Sequence, residues 1–256
     1  MKVKTITQHI EQFAPLKLQE SFDNAGLIIG NYEQEVNKIL VCLDVTNDVI
    51  NEAIQLHCDM IVSHHPMIFL GLKKITPNNL AYKAIQNNIV IYCAHTNLDS
   101  AKRGINYTLA EKLGLKNIKP LAENHSDETC GLGAIGEFDT EISQENLLLL
   151  IKNVCKTNNL KHSKILGITI KKLALCGGSG REFISEAIAN NADAYLSAEL
   201  KYNDFDRYEQ PLFVVDAGHY ETEVHAIDIL YDIISKNETQ AEVVKTSVNT
   251  NFVVNS

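Results

Sequence analysis

Two adjacent histidines, His64 and His65, are the residues of this chain best placed to do chemistry. They follow Met60-Ile61-Val62-Ser63, which reads as a short buried strand, and they precede Pro66. Neighbouring side chains on an extended strand point to opposite faces. At the strand's end, with Pro66 biasing His65 toward extended geometry and then turning the chain, both rings can reach one crevice. In an open α/β sheet, the crevice beyond the carboxyl ends of the strands is where ligands bind. Histidine pairs also arise by chance in surface loops, so the reading depends on what accompanies them. His95 and Asp99 follow the apolar run Ile89 to Ala94, and His219 and Glu223 follow Leu212 to Asp216. His219 and Glu223 lie four apart at a helix start, so one helical face can present both. His64, His65, Asp99, His219 and Glu223 offer three imidazoles and two carboxylates, a donor set that suits a divalent transition metal, and Glu223 could bridge two ions. Thiolates are absent from these positions, which disfavours a closed structural zinc site and leaves room for water. Two ions about 3.5–4 Å apart would acidify a bridging water into a hydroxide nucleophile near neutral pH. His95 and Glu199 are candidates for proton transfer or substrate contact. Plainer readings stand beside these: His95 as a hydrogen-bonder behind the ligands, Glu199 as a solvated surface carboxylate.

These residues need strands to carry them. Residues 5–14 read as a short amphipathic helix ended by Pro15, and Ser21 to Gly30 as a turn running into a glycine-bounded strand. Ile39 to Asp44 is a strand, and Asn47 to His57 a helix with Thr46 or Asn47 as its N-cap. Ile68 to Thr76 is a loop, Asn78 to Asn87 a helix, Ile89 to Ala94 a strand, and Gly104 to Leu113 a helix. Polar Asn124 to Glu128 is the candidate boundary between a first lobe, 1–123, and a second, 124–256, whose terminal segment could return to the first. Gly131-Leu132-Gly133-Ala134-Ile135-Gly136 matches G-x-G-x-x-G, but Glu137 to Thr140 intervenes before the next helix, so the dinucleotide reading fails. Glycines in a strand packed close to another backbone are expected instead. A helix over Ser143 to Thr157 and a strand over Ile165 to Ile170 follow. The second series is strand Leu173 to Cys176, loop Gly177 to Gly180, helix 181–190, strand Asp193 to Ser197, a helix-like segment from Tyr202 to Tyr208, strand Leu212 to Asp216, a helix to Ser235 and a strand-like stretch from Glu242. The glycine loop is either a tight turn or a set of N–H groups able to hold a phosphate.

The two series resemble each other in residues as well as type. A shift of 134 lays Leu40–Ser63 on Ala174–Ser197 without a gap, with about seven identities in some two dozen positions. Among them are Cys42 with Cys176, Asp59 with Asp193 and Ser63 with Ser197. A shift of 124 then lays His95 on His219 and Asp99 on Glu223. The simplest explanation is two lobes of one topology facing each other, so that their strand ends share a crevice. The second copy carries Ala198 and Glu199 where the first has His64 and His65. The fold class expected is α/β (α+β), with two similar lobes, each a mixed, mostly parallel sheet flanked by helices.

With 256 residues, 45% of them hydrophobic and 21% charged, the chain can bury a sizeable core. Its net charge of -9 argues against broad binding to nucleic acid. No apolar run reaches membrane-span length, and the N-terminus alternates polar and apolar residues, unlike a signal peptide. Six cysteines without C-x-x-C spacing read as buried reduced thiols in a cytoplasmic protein.

SFDNAGLIIG, SHHP, AHTNLDSA, CGGSG and GHYETE, in this order and over nearly the whole chain, resemble the NIF-three-like family of GTP cyclohydrolase 1 type 2 homologues. The resemblance implies a dinuclear centre held by His64, His65, Asp99, His219 and Glu223, with two divalent ions (zinc, manganese or iron). It also implies a toroidal homohexamer with its metal sites facing an internal cavity. This chain carries Phe22 where relatives often carry Trp, and it lacks a domain that some relatives insert between the lobes. The activity expected is that of a two-metal hydrolase, with hydroxide adding at C8 of the guanine ring of GTP and formate released. The alternative is a non-catalytic protein that stores or delivers metal or docks partners.

Overall fold

The computed structural model describes residues 1–124, 127–206, 212–237 and 240–254. The strands are β1 (Gly26–Ile29), β2 (Lys38–Cys42), β3 (Met60–Ser63), β4 (Val90–Cys93), β5 (Lys116–Asn124), β6 (Asp127–Ser143), β7 (Lys161–His162), β8 (Thr169–Ser179), β9 (Ala194–Ala198), β10 (Phe213–Asp216) and β11 (Glu242–Lys245). The helices are α1 (Val3–Phe13), α2 (Asn47–Gln55), α3 (Leu80–Gln86), α4 (Thr96–Ser100), α5 (Ile105–Lys112), α6 (Gln144–Cys155), α7 (Ile184–Ala189), α8 (His219–Glu223) and α9 (Ala226–Ser235). The chain forms two compact units, Met1–Ala101 with His225–Val253, and Lys102–Val224 with Val254–Ser256. These units do not divide at residue 124: α5 packs on β5, β6 and β8 and belongs to the second. Residues 125–126 of the expected boundary, and 207–208 of the expected segment Tyr202 to Tyr208, lie outside the described residues; Tyr202–Phe205 is a single 3-10 turn.

The first unit holds a five-stranded sheet in the order β1-β4-β3-β2-β11. Its four strands from β4 to β11 are parallel, with β1 antiparallel at the edge. Strands β3 and β4 are buried at every position, which is why they read as continuous apolar runs rather than alternating ones. Val49, Ile50 and Ala53 form the buried face of α2, and Thr46 Oγ1 accepts from the Val49 N–H to cap it. The second unit holds a six-stranded sheet in the order β5-β6-β8-β9-β10-β7, with a parallel centre of β8, β9 and β10. Strand β6 runs straight through the G-x-G-x-x-G segment. A Cβ at Gly131 would stand 2.0 Å from the Ala122 carbonyl oxygen, so this glycine permits the close backbone approach of neighbouring strands. The strand expected over Ile165 to Ile170 begins only at Thr169.

Backbone pairings at positions 134 apart are alike as far as Leu175. Leu40 pairs with Ile61 and Val41 with Val62; Ala174 pairs with Tyr195 and Leu175 with Leu196. Asp59 Oδ2 accepts from the N–H groups of Asn37 (2.7 Å) and Lys38 (3.1 Å), and Asp193 Oδ2 from those of Lys171 (2.8 Å) and Lys172 (2.7 Å). His57 and Asn191, also equivalent, both turn the chain at φ 55°.

Candidate metal-binding residues in the two units

In the first unit the end of β3 is held by its neighbours. The N–H of His64 reaches the Cys42 carbonyl at 3.3 Å and that of His65 the Leu43 carbonyl at 2.9 Å, while the Cys93 thiol donates to the His64 carbonyl at 2.8 Å. His64 is fully buried. Its Nδ1 lies 2.8 Å from the Ala94 carbonyl oxygen, which can only accept, so Nδ1 carries the proton and Nε2 the lone pair. His65 Nδ1 meets Asp44 Oδ1 at 2.7 Å, and the other oxygen of Asp44 accepts from Thr250 Oγ1 at 2.7 Å. His95 Nδ1 meets Asp23 Oδ1 at 2.7 Å, and Asp23 Oδ2 also accepts from the Thr96 N–H at 3.0 Å and from the Thr96 hydroxyl. Burial alone would raise the Asp23 carboxyl, but the hydrogen bonds from His95 and Thr96 outweigh it and bring its pKa down to about 2. Asp99 Oδ1 lies 3.8 Å from His64 Nε2. One ring nitrogen from each of His64, His65 and His95 falls within 4.8 Å of the others.

In the second unit, His219 and Glu223 occupy successive turns of α8, with Nε2 and Oε2 2.9 Å apart. His219 Nδ1 meets Glu199 Oε1 at 2.7 Å. The imidazole thus stands between two carboxylates, and only a proton or another cation between Nε2 and Glu223 makes that second contact favourable. Glu199 is held at φ 57°, a left-handed conformation uncommon for a residue with a side chain. Gly178, at φ +61°, has no room for one: a Cβ there would stand 2.1 Å from Glu223 Oε1 and 3.0 Å from His219 Nε2. The N–H groups of Gly177 and Gly178 donate to Asn106 Oδ1 (2.7 Å) and Thr222 Oγ1 (2.9 Å). Gly177 to Ser179, expected as part of a loop, are instead the irregular end of β8, with Gly178 close-packed against Glu223, and those two donors are already used rather than offered to a phosphate.

His64, His65, His95 and Asp99 gather in the first unit, and His219, Glu223 and Glu199 in the second. His64, His65, His95 and His219 share one device: an oxygen acceptor meets Nδ1, the way metal-binding imidazoles are usually held with Nε2 toward the ion. The supporting groups Asp23, Asp44 and Thr250 escape a reading of the sequence, although Asp44 sits just past β2 and Asp23 inside the SFDN turn. All six cysteines are buried with free thiols, and burial pushes Cys58 up to about 11 and Cys155 to about 12. Those two thiols stay protonated near neutral pH, which suits a centre made of nitrogen and oxygen donors.

Two sheet-centred α/β units that present imidazoles and carboxylates in this manner define a candidate metal-binding protein. No helix among the described residues is long and apolar enough to cross a membrane. The chain belongs to the Duf34/NIF3 (NGG1p interacting factor 3) family, which matches residues 1–252. It is 35% identical to the GTP cyclohydrolase 1 type 2 homolog of Clostridium acetobutylicum, over 99% of this chain and 95% of that one. The homolog of the same name from Methanocaldococcus jannaschii is 35% identical over 93% of this chain and 96% of its own. Among solved structures, the Staphylococcus aureus hypothetical protein SA1388 superposes with TM-score 0.91 at 26% identity, covering 100% of this chain and 99% of that one. Reduced HcgD from Methanocaldococcus jannaschii gives TM-score 0.82 at 34% identity, covering 97% and 98%.

Proposed function

We propose that this protein is a hydrolase with two divalent cations per chain, held by His64, His65, Asp99, His219 and Glu223, and that its substrate is a nucleotide of the GTP class. The observation that carries this reading is the fixing of Nδ1 in each histidine, which presents Nε2 in its ligating form. The cations, zinc, manganese or iron, supply Lewis acidity and an acidified water when bound. The chain's own work is to position. Asp44 orients His65, Asp23 orients His95, and Glu199 acts through His219. His95 is the group proposed to move a proton to or from the substrate, its ring oriented by Asp23. The relatives' name, GTP cyclohydrolase 1 type 2 homolog, supports a substrate of the GTP class; the reaction proposed on it is ring opening at C8 of guanine, with formate as the product. We further propose a cytoplasmic homohexamer built on two lobes descended from one ancestral module.

The test is metal content per chain on native protein, followed by incubation with GTP under manganese, zinc or iron and assay for formate. Two ions per chain with formate release supports the proposal. Tight metal retention without ring-opened product under any metal favours the second reading, a non-catalytic protein that stores or delivers metal. Sedimentation velocity at the hexamer mass checks the assembly.

A further inference from the structure

The loop after the histidine pair and the turn that supports His95 leave two phenyl rings in the open. Phe22 is 64% exposed and Phe69 48%. Their centroids are 6.3 Å apart with planes tilted by 56°, and the Phe69 ring meets His95 edge-on at 6.2 Å and 88°. Large exposed apolar rings are costly to leave in water, and a contiguous group of them marks a surface that something covers. The Ser21-Phe22-Asp23-Asn24 turn fixes their place. Asp23 orients His95, and Asn24 Nδ2 donates to the Ile68 carbonyl at 2.6 Å, pinning the backbone next to Phe69. One turn thus sets the ring of His95 and both aromatic rings around it.

We propose that Phe22 and Phe69 form an aromatic niche beside His95 that takes the planar heteroaromatic ring of the substrate. The inference rests on the nucleotide-hydrolase reading and names the residues that select the ring. Two tilted ring faces accept a flat base by stacking against one and meeting the edge of the other, an arrangement that asks for a planar ring and is tolerant of which one. A sugar phosphate without a base gains nothing from them.

Calorimetric titration of the full-length, metal-loaded protein with GMP, guanosine and ribose 5-phosphate tests the niche. Phe69→Ala and Phe22→Ala should each weaken GMP and guanosine about tenfold while leaving ribose 5-phosphate and metal content per chain unchanged. Phe22→Trp, which enlarges the stacking face, should keep or tighten binding relative to the native chain. Unaltered guanosine affinity in both alanine variants overturns the proposal. So does a change of sedimentation coefficient in place of a change in ligand affinity, which would show that the rings join copies of the chain. If native protein retains two metals per chain but binds neither guanosine nor GMP, the niche falls while the metal centre stands; loss of the metals themselves would sink the underlying reading instead.

Discussion

The β2-α2-β3 and β8-α7-β9 modules share register, the aspartate clamp at Asp59 and Asp193, and the turn at His57 and Asn191. They differ where their strands end. His65 in the first module corresponds to Glu199 in the second, and Asp44 to Gly178. In the first, the strand-end residue is an imidazole held by Asp44; in the second, it is the carboxylate that holds an imidazole, His219. The position of Asp44 becomes glycine because Glu223 fills the space a side chain would need. Thr46, which caps α2, corresponds to Gly180, where a Cβ would stand 2.5 Å from Cys176 Cβ and 2.8 Å from Tyr195 Oη. One scaffold therefore carries exchanged roles. What remains common is the hydrogen bonding that sets the strands, and what diverges is the set of side chains just past their carboxyl ends.

The largest test of this contrast removes a ligand from each module's side. His65→Ala and Glu223→Ala should each lose most of the bound metal, with circular dichroism and thermal melting close to native, because these residues sit at element ends outside the cores. Unfolding of either variant would break the assignment. Gly178→Ala and Asp44→Ala alter equivalent positions by opposite means, one adding an atom against Glu223 and the other removing the partner of His65. Each should weaken metal binding about 10–100-fold in competition titrations with a chelator. Asp59→Ala and Asp193→Ala probe the shared part, and each should cost about 2 kcal/mol in urea unfolding by stranding two N–H donors. Clearly unequal losses would show that the two clamps are not equivalent. The smallest effect is expected from Thr46→Ala, about 1 kcal/mol for the lost cap, with metal content unchanged.

Much of this was legible in the residues because buried parallel strands are nearly unbroken apolar runs. Met60–Ser63 matches its expected bounds, and the expected helix over Ser143 to Thr157 appears as α6, with Ser143 as its N-cap. Strand β5 was not legible: Lys116, Lys119, Pro120 and Glu123 disguise it, and an edge strand can carry both lysine and proline. Helix α4 was missed because five residues, Thr96–Ser100, hold too little periodicity to register. The candidate ligands were found as histidine and carboxylate motifs at strand ends. Their supports were not, since Asp23 meets His95 from 72 residues away and Thr250 meets Asp44 from 206. Sequence spacing carries no trace of such pairings; only the completed sheet brings them together.

The hydroxyl of Thr250 has a practical consequence for anyone preparing this protein. A protease that nicks the tail ahead of that residue would leave the rest of the first unit's sheet in place and yet slacken the carboxylate behind His65. Such a trimmed sample would pass for folded in a spectrometer while under-reporting its metal, so intact mass should be checked before any stoichiometry is assigned.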